Sequence, residues 1–115
     1  RQMCIRDRAA GGTALPAGRR LRPADLGLLA SLGLAEVTVF RRLRVALFST
    51  GDEVVAPGRP LPPGAVYDSN RFALAAALQR PGFELRDLGI VGDHPAALES
   101  VLREAAGWAD AVVTS

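Results

Sequence analysis

The sequence predicts an α/β protein built on a mostly parallel sheet, and three observations carry that expectation. Val45-Ala46-Leu47-Phe48 is a continuous apolar run, as expected of a strand covered on both faces. Strand-like and helix-like segments alternate from Arg44 onward, which implies a parallel sheet with right-handed crossovers and helix layers on its faces, a three-layer arrangement. Residues with turn and helix-cap chemistry separate the segments: Gly51, Asp68-Ser69-Asn70, Pro81-Gly82 and Asp93-His94-Pro95.

Taken in order, residues 1–8 follow neither a helical nor a strand period and are set aside from fold reasoning. Residues 9–22, rich in Ala, Gly and Pro, read as loop with one short strand. Pro23 then suits the first turn of a helix whose apolar face is Leu26, Leu29, Ala30 and Leu32, with Gly33 ending it. Glu36 to Phe40 reads as a short strand, and Arg41-Arg42 as a charged joint between modules.

Arg44 to Thr50 is the clearest strand. Residues 56–66, with four prolines and two glycines, read as a stiff loop. A helix then opens at Asp68-Ser69-Asn70 with Phe72, Ala75, Ala76 and Leu78 inward, and Pro81-Gly82 ends it. Phe83 to Val91 is a second strand. A helix from Asp93-His94-Pro95 carries a stripe of Leu98, Val101, Leu102 and Ala105, with Glu99 and Arg103 as an i, i+4 pair. Ala111 to Ser115 is a third strand.

Composition narrows the function. The 115 residues are 49% hydrophobic, enough for a core, and no apolar run approaches the roughly 18 residues of a membrane span. One cysteine, Cys4, argues against a disulfide scaffold and is compatible with a cytoplasmic protein. All 14 basic residues are arginine, so lysine Schiff-base chemistry is excluded within this segment. The arginines are scattered and without aromatic interleaving, which reads as solvated surface and not as a nucleic-acid footprint. His94 is the lone histidine, and no triad or zinc partner for it is visible.

Ligands in open α/β sheets bind beyond the carboxyl ends of the strands. Thr50, Gly51, Asp52 and Glu53 follow the first strand, Asp93 the second, and Thr114 and Ser115 end the third. Asp68, Ser69 and Asn70 open a helix at the same rim. Helix N-termini favour phosphate, and carboxylates hold phosphate through Mg²⁺. The rim therefore reads as a site for a phosphorylated small molecule with a divalent cation. Taken singly, Asp68 and Ser69 read as helix caps ahead of ligands, Asp93 equally as cap or ligand, Asp52-Glu53 as a solvated turn, and Tyr67 and Trp108 as packing residues.

The string Val-Ala-Leu-Phe-Ser-Thr-Gly-Asp-Glu-Val at 45–54 resembles the molybdopterin molybdenumtransferase family, which includes bacterial molybdenum insertases and the E domain of gephyrin. Pro57-Gly58, Tyr67-Asp68-Ser69-Asn70-Arg71, Asp87-Leu88-Gly89-Ile90-Val91, and Asp93 with Pro95 keep the family's order and spacing. The stretch Leu15-Pro16-Ala17-Gly18 with Ala24 to Gly33 looks like the end of the family's preceding, smaller domain. The resemblance divides the chain into residues 1–8, unmatched; 9–43, the last part of that domain; and 44–115, the first half of the molybdopterin-binding α/β domain.

It implies an enzyme that inserts molybdenum from molybdate into adenylylated molybdopterin and releases AMP, assisted by Mg²⁺ or Zn²⁺. It also implies a homodimer when full length. Glu53 and Asp93 become the cation-binding, catalytic carboxylates. Thr50, Gly51, Asp52, Asp68, Ser69, Asn70 and Ser115 become substrate-binding surroundings. Gly92 and His94 stand where many members carry other residues. The family continues past Ser115 into a glycine-rich phosphate loop, so this chain corresponds to roughly a quarter to a third of an insertase and is expected to be inactive alone. The competing readings are an adenylyltransferase or nicotinamide-nucleotide amidase-associated domain on the same module, a non-catalytic scaffold, and a fragment without independent function.

Overall fold

The structure is a computed structural model and describes residues 10–115, so the unmatched octamer lies outside the described residues. The chain divides into two compact units, one running to Val39 and the other spanning Phe40–Ser115.

In the first unit, α1 spans Pro23–Ser31, with Pro23 in its first turn and Gly33 at φ +77° just beyond its end. The Asp25 carboxylate accepts the Arg22 backbone N–H at 3.0 Å and pairs with the Arg22 and Arg19 guanidinium groups. These contacts, the Arg22 side chain first, lower its pKa to about 2. The apolar face is narrower than expected. Leu29 is buried, whereas Ala30 is exposed and Leu26 and Leu32 are about half exposed. Neither the short strand expected within 9–22 nor the one at Glu36 to Phe40 forms among the described residues. A strand needs a neighbouring backbone for its N–H and C=O groups. No ladder forms at Glu36 to Phe40 among the described residues, and Val37 and Val39 stay exposed.

The second unit contains β1 (Leu43–Thr50), β2 (Val54–Val55), β3 (Val66–Tyr67), α2 (Asn70–Leu78), β4 (Phe83–Val91), α3 (Pro95–Ala106) and β5 (Ala111–Thr114). The main sheet has the order β4-β1-β5 and is parallel throughout. Val45 to Ser49 of β1 are all buried, as the continuous apolar run requires of a central strand. The chain leaves β1 for β4 on one side, then crosses back over β1 to β5. With right-handed crossovers, that reversal puts α2 and α3 on opposite faces and leaves a crevice between the carboxyl ends of β1 and β4.

Two features were not expected. Val54-Val55 and Val66-Tyr67 form a short parallel ladder that closes the proline-rich loop at its base. The register of β1 against β4 also shifts, with Leu47 opposite Asp87 but Ser49 opposite Ile90, so β4 carries one extra residue. Gly89 takes φ +81° at this bulge, a conformation that suits glycine.

The inward face of α2 differs from the expected one. Arg71 is buried and Leu74, Ala75 and Leu78 are half-buried, while Phe72 is 52% exposed and Ala76 is exposed. The phase is set by Arg71, whose ion pairs pull it under the helix. On α3, Val101 and Ala105 are buried, Leu98 is half-buried and Leu102 is 47% exposed, so the stripe holds except at Leu102. Arg103 and Glu99 pair at 2.7 Å. Among the described residues, no helix is long and apolar enough to cross a membrane.

Candidate functional site

The crevice beyond β1 and β4 is built from three hydrogen-bonded joints, two between backbones and one from a backbone N–H to a carboxylate. The Thr50 N–H donates to the Ser115 carbonyl at 2.9 Å, and the Ser115 N–H donates to Phe48 O at 3.2 Å. The Asp93 N–H donates to Asp52 Oδ1 at 3.0 Å. The Val66 N–H donates to Glu53 O at 2.9 Å, and the Asp68 N–H donates to Val55 O at 2.9 Å. Thr50, Asp52, Glu53, Asp93 and Ser115 are thereby gathered at the carboxyl ends of the three strands. The loop that follows Glu53 is fastened to the segment that leads into α2.

Gly51 makes the corner possible. Its φ is +127°, and a Cβ there would lie 2.9 Å from Glu53 Oε2 and 3.0 Å from Val54 Cγ2. The glutamate side chain thus folds over the glycine. Gly51→Ala is expected to cost about 1–3 kcal/mol, as left-handed strain does in residues with a Cβ, and to displace the Glu53 carboxylate. Chemical denaturation of the variant checks the first effect, and divalent-cation titration the second.

Glu53, Asp93 and Asp52 are exposed, and the only hydrogen bond to these carboxylates among the described residues is the one into Asp52. Asp93 was read as either a cap or a ligand. The N-cap of α3 is His94, in extended conformation at φ −115°, and the Asp93 carboxylate does not cap the helix. Asp52 Oδ1 and His94 Cδ2 each lie 3.5 Å from where a Cβ on Gly92 would sit, so the departure at residue 94 sets an imidazole beside this acidic corner.

Asp68 is placed differently from the rim acids. It is 3% exposed, and its two oxygens are engaged inside the fold. Oδ1 accepts Ser49 Oγ–H at 2.9 Å and the Arg71 N–H at 3.3 Å, and Oδ2 accepts Arg71 Nε–H at 2.6 Å. Arg71 Nη1 reaches on to the Asp87 carboxylate, whose other oxygen accepts the Gly89 N–H at 2.9 Å. Burial pushes both aspartates up, but the Arg71 hydrogen bonds, joined by Ser49 at Asp68 and by Gly89 at Asp87, hold both below the usual carboxylate range. Hydrogen bonds from Asp87 and Asp68 raise Arg71 against the opposing effect of burial. This Ser49–Asp68–Arg71–Asp87 network ties β1, α2 and the β4 bulge together directly under the rim. Ser69 and Asn70 lie above it, exposed at the start of α2.

Ser49, Arg71 and Asp87 stand within the motifs quoted from the sequence, but no individual role follows for them there. The available signal was the glycine inside the Asp87-Leu88-Gly89 strand segment, which marks a bulge. A cavity of about 360 Å³ lies on the α2–β4 side, lined by Ala75, Leu78, Gln79, Arg80, Phe83, Leu85 and Asp87. It includes none of the rim residues.

The chain is thus a parallel α/β module with an acidic, glycine-cornered rim at its strand reversal, the place where open α/β sheets bind their ligands. Residues 46–115 match the family described as "Probable molybdopterin binding domain", and the chain belongs to that family. It is 45% identical to the molybdopterin molybdenumtransferase of Haemophilus influenzae over 105 residues, covering 91% of this chain and 26% of the relative. It is likewise 45% identical to that of a Nostoc species, covering 92% of this chain and 24% of the relative. The crystal structure of the molybdopterin biosynthesis moea protein from Pyrococcus horikosii superposes with a TM-score of 0.75 at 37% identity, covering 88% of this chain and 26% of that one. The chain thus spans about a quarter of the length of the relatives it matches.

Proposed function

We propose that this chain supplies one wall of the active site of an enzyme that inserts molybdenum from molybdate into adenylylated molybdopterin and releases AMP. The observation that carries the reading is the family match over the β1–β5 unit, whose strand reversal holds the Glu53 and Asp93 carboxylates at the rim.

Among the described residues no group of three or more His, Cys, Asp and Glu side chains could hold a metal ion. An all-protein cage is therefore not what the rim offers. Mg²⁺ is commonly bound by one or two carboxylates with waters and substrate phosphates, and two exposed carboxylates without side-chain partners fit that donor set. Glu53 and Asp93 would hold the cation, with Zn²⁺ as the alternative. When bound, it would neutralise the phosphate oxygens of the adenylylated substrate. Asp52 orients the β4–α3 loop through the Asp93 N–H. Gly51 lets the ligand approach the backbone, and Thr50, Ser69, Asn70 and Ser115 supply polar contacts. Asp68 acts beneath them, through Arg71. The enzyme is cytoplasmic and a homodimer in its full-length form.

The test is reconstitution. Full-length protein containing this segment, given adenylylated molybdopterin, molybdate and Mg²⁺, should release AMP and yield molybdenum-loaded pterin. The isolated 115-residue chain should yield neither. Absence of AMP release by the full-length protein sinks the activity, and insertion by the isolated chain sinks the division of the site between segments.

A further inference from the structure

The amino-terminal end of the main sheet, opposite the rim, gathers cations that the proposed chemistry does not use. The Arg86 guanidinium carbon lies 4.3 Å from the centroid of the Trp108 ring, and that of Arg44 lies 5.9 Å from the same ring. Two carboxylates lie near Arg44, those of Glu84 and Asp110. Glu84 Oε2 is 3.8 Å from its Nε, too far for a hydrogen bond, and that buried nitrogen has no hydrogen-bond partner among the described residues.

Asp110 is committed elsewhere. It takes a two-pronged pair from Arg41 at 2.5 and 2.6 Å and also accepts the Arg44 N–H at 2.9 Å. Arg42 is exposed beside Arg41, and Phe40 is 91% exposed. Arg41, Arg42, Arg44 and Arg86 therefore share this end with two acids among the described residues, Glu84 and Asp110. The carboxyl end of the same sheet carries the opposite sign.

We propose that this end of the sheet docks an acidic segment of a partner protein. Charge complementarity selects the occupant: carboxylates would pair with Arg42, Arg86 and the exposed part of the Arg44 guanidinium. Arginine beside the half-buried Trp108 and the exposed Phe40 is the composition of protein–protein contact sites. A flat sheet end offers no helix or ribbon for a nucleic-acid groove, which favours protein over nucleic acid. The surface lies away from Glu53 and Asp93, so a bound partner leaves the rim open.

The experiment uses full-length protein and a fluorescein-labelled decaglutamate peptide, read by anisotropy at low salt, with a 10-nucleotide single-stranded DNA as competitor. Wild-type protein should bind the peptide, and the affinity should fall as salt rises. The double variant Arg42→Glu/Arg86→Glu should bind at least tenfold more weakly with an unchanged thermal melt. Arg103→Glu, on α3, should bind as wild type. Loss of binding in Arg103→Glu equal to that in the double variant would show unspecific charge attraction and overturn the proposal. So would no peptide binding by the wild type, or displacement of the peptide by DNA at lower concentration than by unlabelled peptide. If the double variant unfolds, the milder Arg86→Ser single variant should still weaken binding, and unchanged affinity there overturns the assignment.

Discussion

Arg71→Ala is expected to destabilise the second unit by about 3–5 kcal/mol, the usual cost of leaving a buried charge without its partner. Asp68 is the charge left behind. Its side chain is 2% exposed, and the substitution removes its ion pair and the only hydrogen bond to Oδ2, leaving the Ser49 Oγ–H and residue-71 backbone N–H bonds to Oδ1. Asp87, at 39% side-chain exposure, would recover water and adds little to the loss. Arg71→Lys should recover only part of the stability, because one ammonium cannot reach both carboxylates as the guanidinium fork does.

The pH dependence has a fixed sign. Asp68 and Asp87 are held below the ordinary carboxylate range, so they stabilise the fold above their unfolded pKa of about 3.9, and that stability is lost as pH falls through the lower folded value. In Arg71→Ala, Asp68 keeps its burial and loses its cation, so it binds its proton more readily. The gap between wild type and variant should therefore shrink from pH 7 towards pH 3. Urea unfolding of both proteins at the two pH values measures it. A gap below 1 kcal/mol at pH 7, or one that widens in acid, would contradict the role given to the network.

The same network shows where the sequence was hard to read. A central strand announces itself, because Val45 to Phe48 is apolar without interruption and nothing but a doubly covered strand suits it. The boundaries of β4 were equally plain, since turn chemistry brackets them. The phase of α2 was misjudged because an arginine reads as surface, and only its two aspartate partners make Arg71 an inward residue. Glu36 to Phe40 has strand composition, yet composition does not supply a neighbouring backbone. The β2–β3 ladder is two residues long on each side, too short to leave any periodicity. At the site, Thr50 to Glu53 and Asp93 were legible because they follow strand ends. Whether an acid at such a place points outwards, as Glu53 does, or inwards, as Asp68 does, depends on a partner across 19 residues at Ser49 and on a bulge across the sheet.

That distinction makes Glu53→Ala and Asp93→Ala the most informative changes, each expected to lower molybdenum insertion by the full-length enzyme about 10²–10³-fold, the scale seen when a preorganised charge-stabilising group is removed. Both side chains are exposed, and neither carboxylate has a hydrogen-bond partner among the described residues. Removing them should change stability by no more than about 0.5 kcal/mol. The circular dichroism spectrum and melting curve should match the wild type, so a lost activity cannot be assigned to unfolding. Asp68→Ala would not separate the two, because it empties a buried position.

Glu53→Gln and Asp93→Asn refine the cause. They keep shape and hydrogen-bonding capacity but lose the charge that holds a cation, so their activity should rise as Mg²⁺ is increased. A purely steric role would give variants indifferent to Mg²⁺. Asp52→Asn should lose less than either, since its amide oxygen can still accept the Asp93 N–H. Wild-type activity in both alanine variants would remove the two carboxylates from the reaction and leave the rim with a binding role only.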